Sequence, residues 1–173
     1  MKVLARICLL LAFTLPAAAA RADEAACKAV LDAIVKLATT PVRQKVSIEG
    51  AGGRVIQSEL IHLGDRMYMQ LQGRWLAKPY DGQKIASDAR QAMDKSEHSC
   101  TRAGSEAVEG QPALVYTIRS KTAQGSSESK VWISPSSGLP LRQHTTQIEG
   151  AAAGGKHDVL YDYKDVKAPP GVN

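Results

Sequence analysis

Val131-Trp132-Ile133-Ser134-Pro135-Ser136-Ser137-Gly138-Leu139-Pro140-Leu141-Arg142-Gln143 decides the architecture. A β-branched and aromatic run, Val131 to Ile133, enters a turn with Pro early and Gly late. Pro presets the φ of a turn's second residue, and Gly accepts what other residues resist at its end. The chain then leaves through Leu139 to Ile148 as a second extended run, so the stretch reads as a hairpin.

Working outward, the same grammar repeats. Ala113 to Ser120 is a strong strand, with Leu114, Tyr116 and Ile118 alternating with Val115 and Thr117. A weaker run, Ser99 to Val108, precedes it across Gly110-Gln111-Pro112, and Thr122 to Ser127 reads as a polar loop before Ser129 to Ser134. After the small-residue stretch Gly150 to Gly155, His157 to Tyr163 closes the set, with Val159, Tyr161 and Tyr163 expected on one face. Upstream, Arg43 to Glu49, Arg54 to Leu63, Arg66 to Gln72 and a short run at Trp75-Leu76 are broken by Gly50 to Gly53, Gly64-Asp65, Gly73 and Pro79. In Arg66 to Gln72, Met67, Met69 and Leu71 alternate with Tyr68, Gln70 and Gln72. That makes about nine strands in a meander, so antiparallel pairing is expected.

Two segments have helical spacing. Over 23 to 38, Val30, Leu31, Ile34, Leu37 and Ala38 recur at three and four, Asp23 and Glu24 stand in the expected first turn, and Pro41 ends the pattern. Over 81 to 95, Ile85, Ala89, Ala92 and Met93 are expected on one side and Lys84, Asp88, Arg90 and Asp94 on the other. Strands and helices do not alternate, which excludes a doubly wound parallel sheet.

The first twenty residues have another purpose. Lys2 and Arg6 are basic, Ile7 to Leu15 is apolar, and Pro16 leads to Ala17 to Ala20. This order is that of a secretory signal peptide covering 1–20, with cleavage after Ala20 or Ala22. The apolar run is shorter than the ~20 residues a membrane span needs. Cys27 stands behind Asp23 and Glu24, a poor context for lipidation, so the exported chain is expected to be soluble, in the periplasm, as one domain over 21–173.

Lys2 and Arg6 leave with the signal, so 22 bases become 20 against 17 acids, a charge of +3. That is weak ground for nucleic-acid binding, and none is expected. Cys8 also leaves, and Cys27 and Cys100 remain in an oxidising compartment, where an even pair favours a disulfide. His62, His98, His144 and His157 are scattered, no Ser sits in a Gly-x-Ser-x-Gly elbow, and Gly50 to Gly53 leads into a strand rather than a helix. No catalytic residue, metal site or cofactor is expected, and the chain is not read as an enzyme.

The Trp132 strand with its Gly138-Leu139-Pro140 turn resembles a hairpin of periplasmic lipoprotein carriers and their relatives, the LolA, LolB and RseB-like superfamily. Gly110 to Tyr116 is similar to the strand that precedes that hairpin, and Tyr161-Asp162-Tyr163 to the final strand. The resemblance implies an α+β fold: a curved antiparallel sheet, an unclosed half-barrel, with the N-terminal helix and one further helix on its concave side. It also implies a hydrophobic ligand, a lipid or a lipoprotein acyl chain, with an envelope protein partner as the alternative. Neither Arg43 nor Arg54 sits in a motif matching the carriers' lid arginine. A site for such a ligand takes inward apolar side chains, and the candidates are Met67, Met69, Leu71, Trp75, Leu114, Tyr116, Ile118, Trp132, Tyr161 and Tyr163. The competing role for each is ordinary core, in a chain with one Phe and 5% aromatic residues.

Overall fold

A computed structural model describes the backbone of residues 17–172 and the side chains of 23–172. The basic and apolar zones of the expected signal peptide lie outside the described residues. Helix α1 (Ala17–Ala38) leads into β1 (Val42–Glu49), β2 (Val55–Leu63), β3 (Arg66–Leu71) and β4 (Arg74–Pro79). Helix α2 (Gly82–Lys95) follows, and then β5 (Glu97–Val108), β6 (Gln111–Thr122), β7 (Gly125–Ile133), β8 (Pro140–Gln147) and β9 (Lys156–Asp162). The nine strands form one sheet in the order β4-β3-β2-β1-β9-β8-β7-β6-β5. Every pairing is antiparallel. The last strand joins the two meanders by sliding between β1 and β8. β4 and β5 stand at the two edges, each paired on one side only and not with one another, so the half-barrel does not close.

Local chemistry sets these elements. Gln72-Gly73 and Glu109-Gly110 both place two successive residues at positive φ, at 50° and 78° and at 47° and 78°. That is the backbone a two-residue hairpin needs, because its twist matches the strands. The expected polar loop over Thr122 to Ser127 is instead a tight turn. Ser126 and Ser127 pair with Lys121 and Ser120, and the Ser120 and Ser127 hydroxyls hydrogen-bond at 3.0 Å. Hydroxyl side chains on facing strands satisfy one another, a cross-strand term that composition alone does not display.

Helix α1 begins six residues before the expected start, which moves Asp23 and Glu24 into its second turn. Helix α2 keeps Ala89 and Met93 of the expected stripe inward but replaces Ile85 and Ala92 with Gly82 and Ala86. Ala86 is buried and Gly82, Ala89 and Met93 are partly buried, while Ile85 and Ala92 face solvent. Small residues win because α2 packs closely on α1. A Cβ at Gly82 would lie 2.2 Å from the Ala38 carbonyl oxygen. Gly82→Val should therefore cost about 1–3 kcal/mol by overpacking, read as a shift in the urea midpoint. A neutral result would show that the helix pair can spread.

The core divides by sheet face. On the inner face, Ala26, Val30 and Ala33 of α1 pack on Cys100, Tyr116, Val131 and Ile133. Cys27 and Cys100 form the expected disulfide, tying the middle of α1 to β5. On the outer face, Val108, Ala113, Val115, Trp132 and Leu141 form a second cluster, with Leu160 and Tyr163 against it. No helix among the described residues is long and apolar enough to cross a membrane.

Candidate functional site

Helix α1 covers only part of the inner face. Its apolar stripe lies on β5, β6 and β7. Leu114, Tyr116 and Ile118, three of the candidate lining residues, belong to that packed region, Tyr116 within the buried cluster and the other two half-buried against it. They are core beneath the helix.

The inner face of β1 to β4 is different. Register pairing aligns Gln44, Leu60, Met69 and Leu76 in one row across four strands. Val42, His62, Met67 and Lys78 form the next row, and Ile48 faces Ile56 nearer the hairpin tips. Met67 and Met69 are half-buried. Leu71 and Leu76 are 48% and 45% exposed, and Ile48 and Ile56 are 45% and 53% exposed. An uncovered apolar surface of this extent is a cost in water unless something occupies it. Met suits such a surface, because an unbranched thioether adapts to ligands of varied shape.

Three expected members of the site stand elsewhere. Trp75 pairs with Gln70 and Trp132 with Arg142, which puts both indoles on the outer face. Strand alternation decides this, since neighbours of inward residues must point outward. Tyr163 was expected beside Val159 and Tyr161, but β9 ends at Asp162. The chain turns, and Tyr163 joins the outer cluster with its hydroxyl donating to the Pro140 carbonyl. Tyr161 stays inward, and its hydroxyl donates to Gln143 Oε1 at 3.3 Å. Burial drives the Tyr161 pKa well above the ordinary tyrosine value. Conversely, Ile48, Ile56, Leu60 and Leu76 were not among the candidates. Hairpin register brings them to the methionines, and register is not visible in one strand at a time.

At the base of this surface lies an open cleft of about 550 Å³ between the end of α1, the start of α2 and the β2–β3 turn. His62 and Tyr80 stack there with ring centroids 4.3 Å apart, and the Tyr80 hydroxyl donates to the Ala38 carbonyl at 2.9 Å. The His62 Nδ1 is buried without a hydrogen-bond partner among the described residues. Desolvation lowers the His62 pKa from 6.5. The unfolded chain therefore takes up this proton first as pH falls, so the stability His62 contributes is present above pH 6.5 and declines below it. Unfolding curves between pH 7 and pH 5 should show that decline, and His62→Phe should flatten it. An equal slope in both proteins would mean that His62 is protonated as readily folded as unfolded.

The outer face carries ion pairs. Arg142 donates to both carboxylate oxygens of Asp158, from Nε at 3.2 Å and Nη2 at 2.6 Å. His144 Nδ1 lies 3.1 Å from the same carboxylate. Burial opposes ionisation of Asp158, but the hydrogen bonds from Arg142 and His144 outweigh it and hold the pKa below the usual carboxylate value. A His beside an Asp invites comparison with a catalytic pair. Here the Thr146 hydroxyl is 3.5 Å from His144 Nε2, the group lies on a sheet surface, and a guanidinium claims the carboxylate. Geometry of this kind serves cross-strand pairing rather than nucleophile activation. Among the described residues, no cluster of three His, Cys, Asp or Glu is placed to hold a metal ion.

No family model matches the sequence, and no curated protein matches it significantly. Solved structures do superpose on it. MucB in complex with MucA(peri) aligns with a TM-score of 0.53 at 14% identity, over 84% of this chain and 60% of MucB. The Pseudomonas aeruginosa MucA/MucB complex gives 0.52 at 15% identity, over 84% and 61%. The backbone fold is that of the part of MucB these superpositions cover. Weaker superpositions include LprF from Mycobacterium bovis, with a TM-score of 0.46 and 12% identity over 85% and 98% of the two chains. A LolA superfamily protein from Nitrosomonas europaea gives 0.32 and 8% over 83% and 94%. The chain spans about three-fifths of MucB, and at such identities the likeness concerns the backbone alone.

Proposed function

We propose that this chain is an exported, non-catalytic periplasmic protein that binds or carries a hydrophobic ligand, a lipid or lipoprotein acyl chain, along the inner face of β1 to β4. One observation carries the reading: α1 seals the sheet over β5 to β7 and leaves Ile48, Ile56, Leu71 and Leu76 about half open beside Met67 and Met69. The disulfide suits an oxidising compartment.

The test is binding of a fluorescent fatty acid to protein purified from periplasm, with native mass spectrometry of the same sample for co-purifying lipid. Leu71→Asp and Leu76→Asp should each weaken binding at least about tenfold, because burying a Leu side chain contributes about 1.5–3 kcal/mol. Val55 is 53% exposed but pairs with Glu49 on the outer face, so Val55→Asp should leave binding unchanged. Loss in the control equal to loss in the leucine variants, or no uptake at all, would set the reading aside.

A second reading is an envelope interaction or stress-sensing module that carries no lipid. It is favoured by the fold likeness to MucB, a protein seen in complex with MucA(peri). It also suits a cleft whose lining includes Asp65, His62, Tyr80 and Asp81 rather than apolar side chains alone. A stable protein complex that survives delipidation would select it.

A further inference from the structure

We infer that the free edge of β4 accepts an extended acidic segment of a partner protein as an added strand. The two edges of the sheet are not equivalent. At one edge, β5 is interrupted by a register shift between Arg102 and Gly104, where Gly104 sits at φ 135°. Its Cys100 is also tied to α1 and buried in the core beneath that helix. A bulge and a covering helix are two of the ways proteins close an edge to other chains.

β4 has neither device; its guards are its shortness, Pro79 and the inward charges of Arg74 and Lys78, which repel a basic strand but not an acidic one. Its six residues pair with β3 in unbroken register, from Leu71 opposite Arg74 to Arg66 opposite Pro79. β3 is its sole strand neighbour, so the far side presents a row of backbone N–H and C=O groups without strand partners. Arg74, Leu76 and Lys78 share the inner face of this strand, and all three are exposed. Among the described residues, neither Arg74 nor Lys78 enters a salt bridge. The nearby Asp81 is engaged, accepting the Lys84 backbone N–H at the start of α2.

This pattern chooses the occupant. A second copy pairing β4 with β4 antiparallel around Leu76 would set Arg74 directly opposite Lys78, and like charges facing across strands are unfavourable. An incoming strand that alternates acid, apolar, acid meets Arg74, Leu76 and Lys78 with opposite charge at both ends and an apolar residue between. Backbone hydrogen bonds would hold the strand, and the alternate side chains would select it. The inference stands apart from acyl-chain binding, since a protein that takes up no lipid would still present this edge.

The experiment uses the whole protein and a fluorescein-labelled peptide, Ser-Glu-Thr-Val-Thr-Glu-Ser, which offers the same pattern in either direction. Its counterpart carries Lys for Glu. A third peptide keeps the Glu residues but is N-methylated at alternate positions. The expected results are about tenfold tighter binding of the acidic peptide than of the lysine one at low salt, narrowing as salt rises. N-methylation should abolish binding, and hydrogen exchange should slow at β4 amides. The double variant Arg74→Glu, Lys78→Glu should reverse the peptide preference. Equal binding of the acidic and lysine peptides, indifference to N-methylation, protection confined to other strands, or no binding of the acidic peptide would each overturn the inference.

Discussion

Replacing Cys27 and Cys100 together by Ala lowers the unfolding free energy by about 4 kcal/mol and the melting temperature by roughly 10 °C. The bridge spans 73 residues of sequence, from the middle of α1 to the start of β5. Without it the unfolded chain regains the freedom of a long loop, and the cost rises with the logarithm of loop length. The native side of the balance offers little compensation. Helix α1 presents Ala26, Val30 and Ala33 to the sheet, and alanines bury little apolar area. Few polar ties reinforce it: Lys36 Nζ donates to the Ser137 carbonyl at 2.6 Å and Tyr80 donates to Ala38. Urea unfolding of the oxidised protein and the double variant measures the difference. A loss below about 1 kcal/mol would mean that α1 docks through its own surface and that the bridge only records the docking.

Trp132→Ala carries the second large effect, about 3–5 kcal/mol. The indole is 6% exposed in the outer cluster with Val115 and Leu141. Its Nε1–H donates to Glu106 Oε2 at 2.7 Å, while Lys130 donates to the other Glu106 oxygen at 2.7 Å. Lys130 Nζ and the Arg142 guanidinium lie 4.9 and 5.1 Å from the ring centroid, within reach of its negative face. Truncation opens a cavity and frees three charged groups from their common partner. Trp132→Phe keeps most of the bulk and the cation contacts and loses one hydrogen bond, so it should cost about 1 kcal/mol. If Phe is as damaging as Ala, the carboxylate bond rather than the packing holds this face together.

Much of this was legible in the sequence because it depends on local chemistry. Alternation at Leu114, Tyr116 and Ile118 showed a strand with one apolar face, and Gly64-Asp65 and Gly73 marked hairpins. Two cysteines in a chain expected to be exported were enough to predict the disulfide. What was not legible depends on how distant elements meet. Nothing near Ile85 says that Gly82 and Ala86 face α1 instead; that follows from an approach too close for a Cβ. Nothing in Trp132 alone says which side of the sheet it occupies until Val131 is seen beneath α1. His144 and Asp158 are 14 residues apart, and only the β8–β9 register makes them partners. The candidate ligand surface was half legible for the same reason. Met67, Met69 and Leu71 are neighbours within one strand, whereas Leu60, Leu76 and Ile48 reach them only through pairing.

The central claim is that an apolar chain lies on the uncovered wing of the half-barrel, away from the part plugged by α1. Paramagnetic broadening from a nitroxide-labelled stearic acid, read on the methyl groups of the protein by NMR, locates that chain directly. The account predicts strong broadening at Met67, Met69, Leu71, Leu76 and Ile56, with Leu114 and Ile118 beneath α1 little affected. Broadening centred on Leu114 and Ile118, or none anywhere at saturating label, would contradict it.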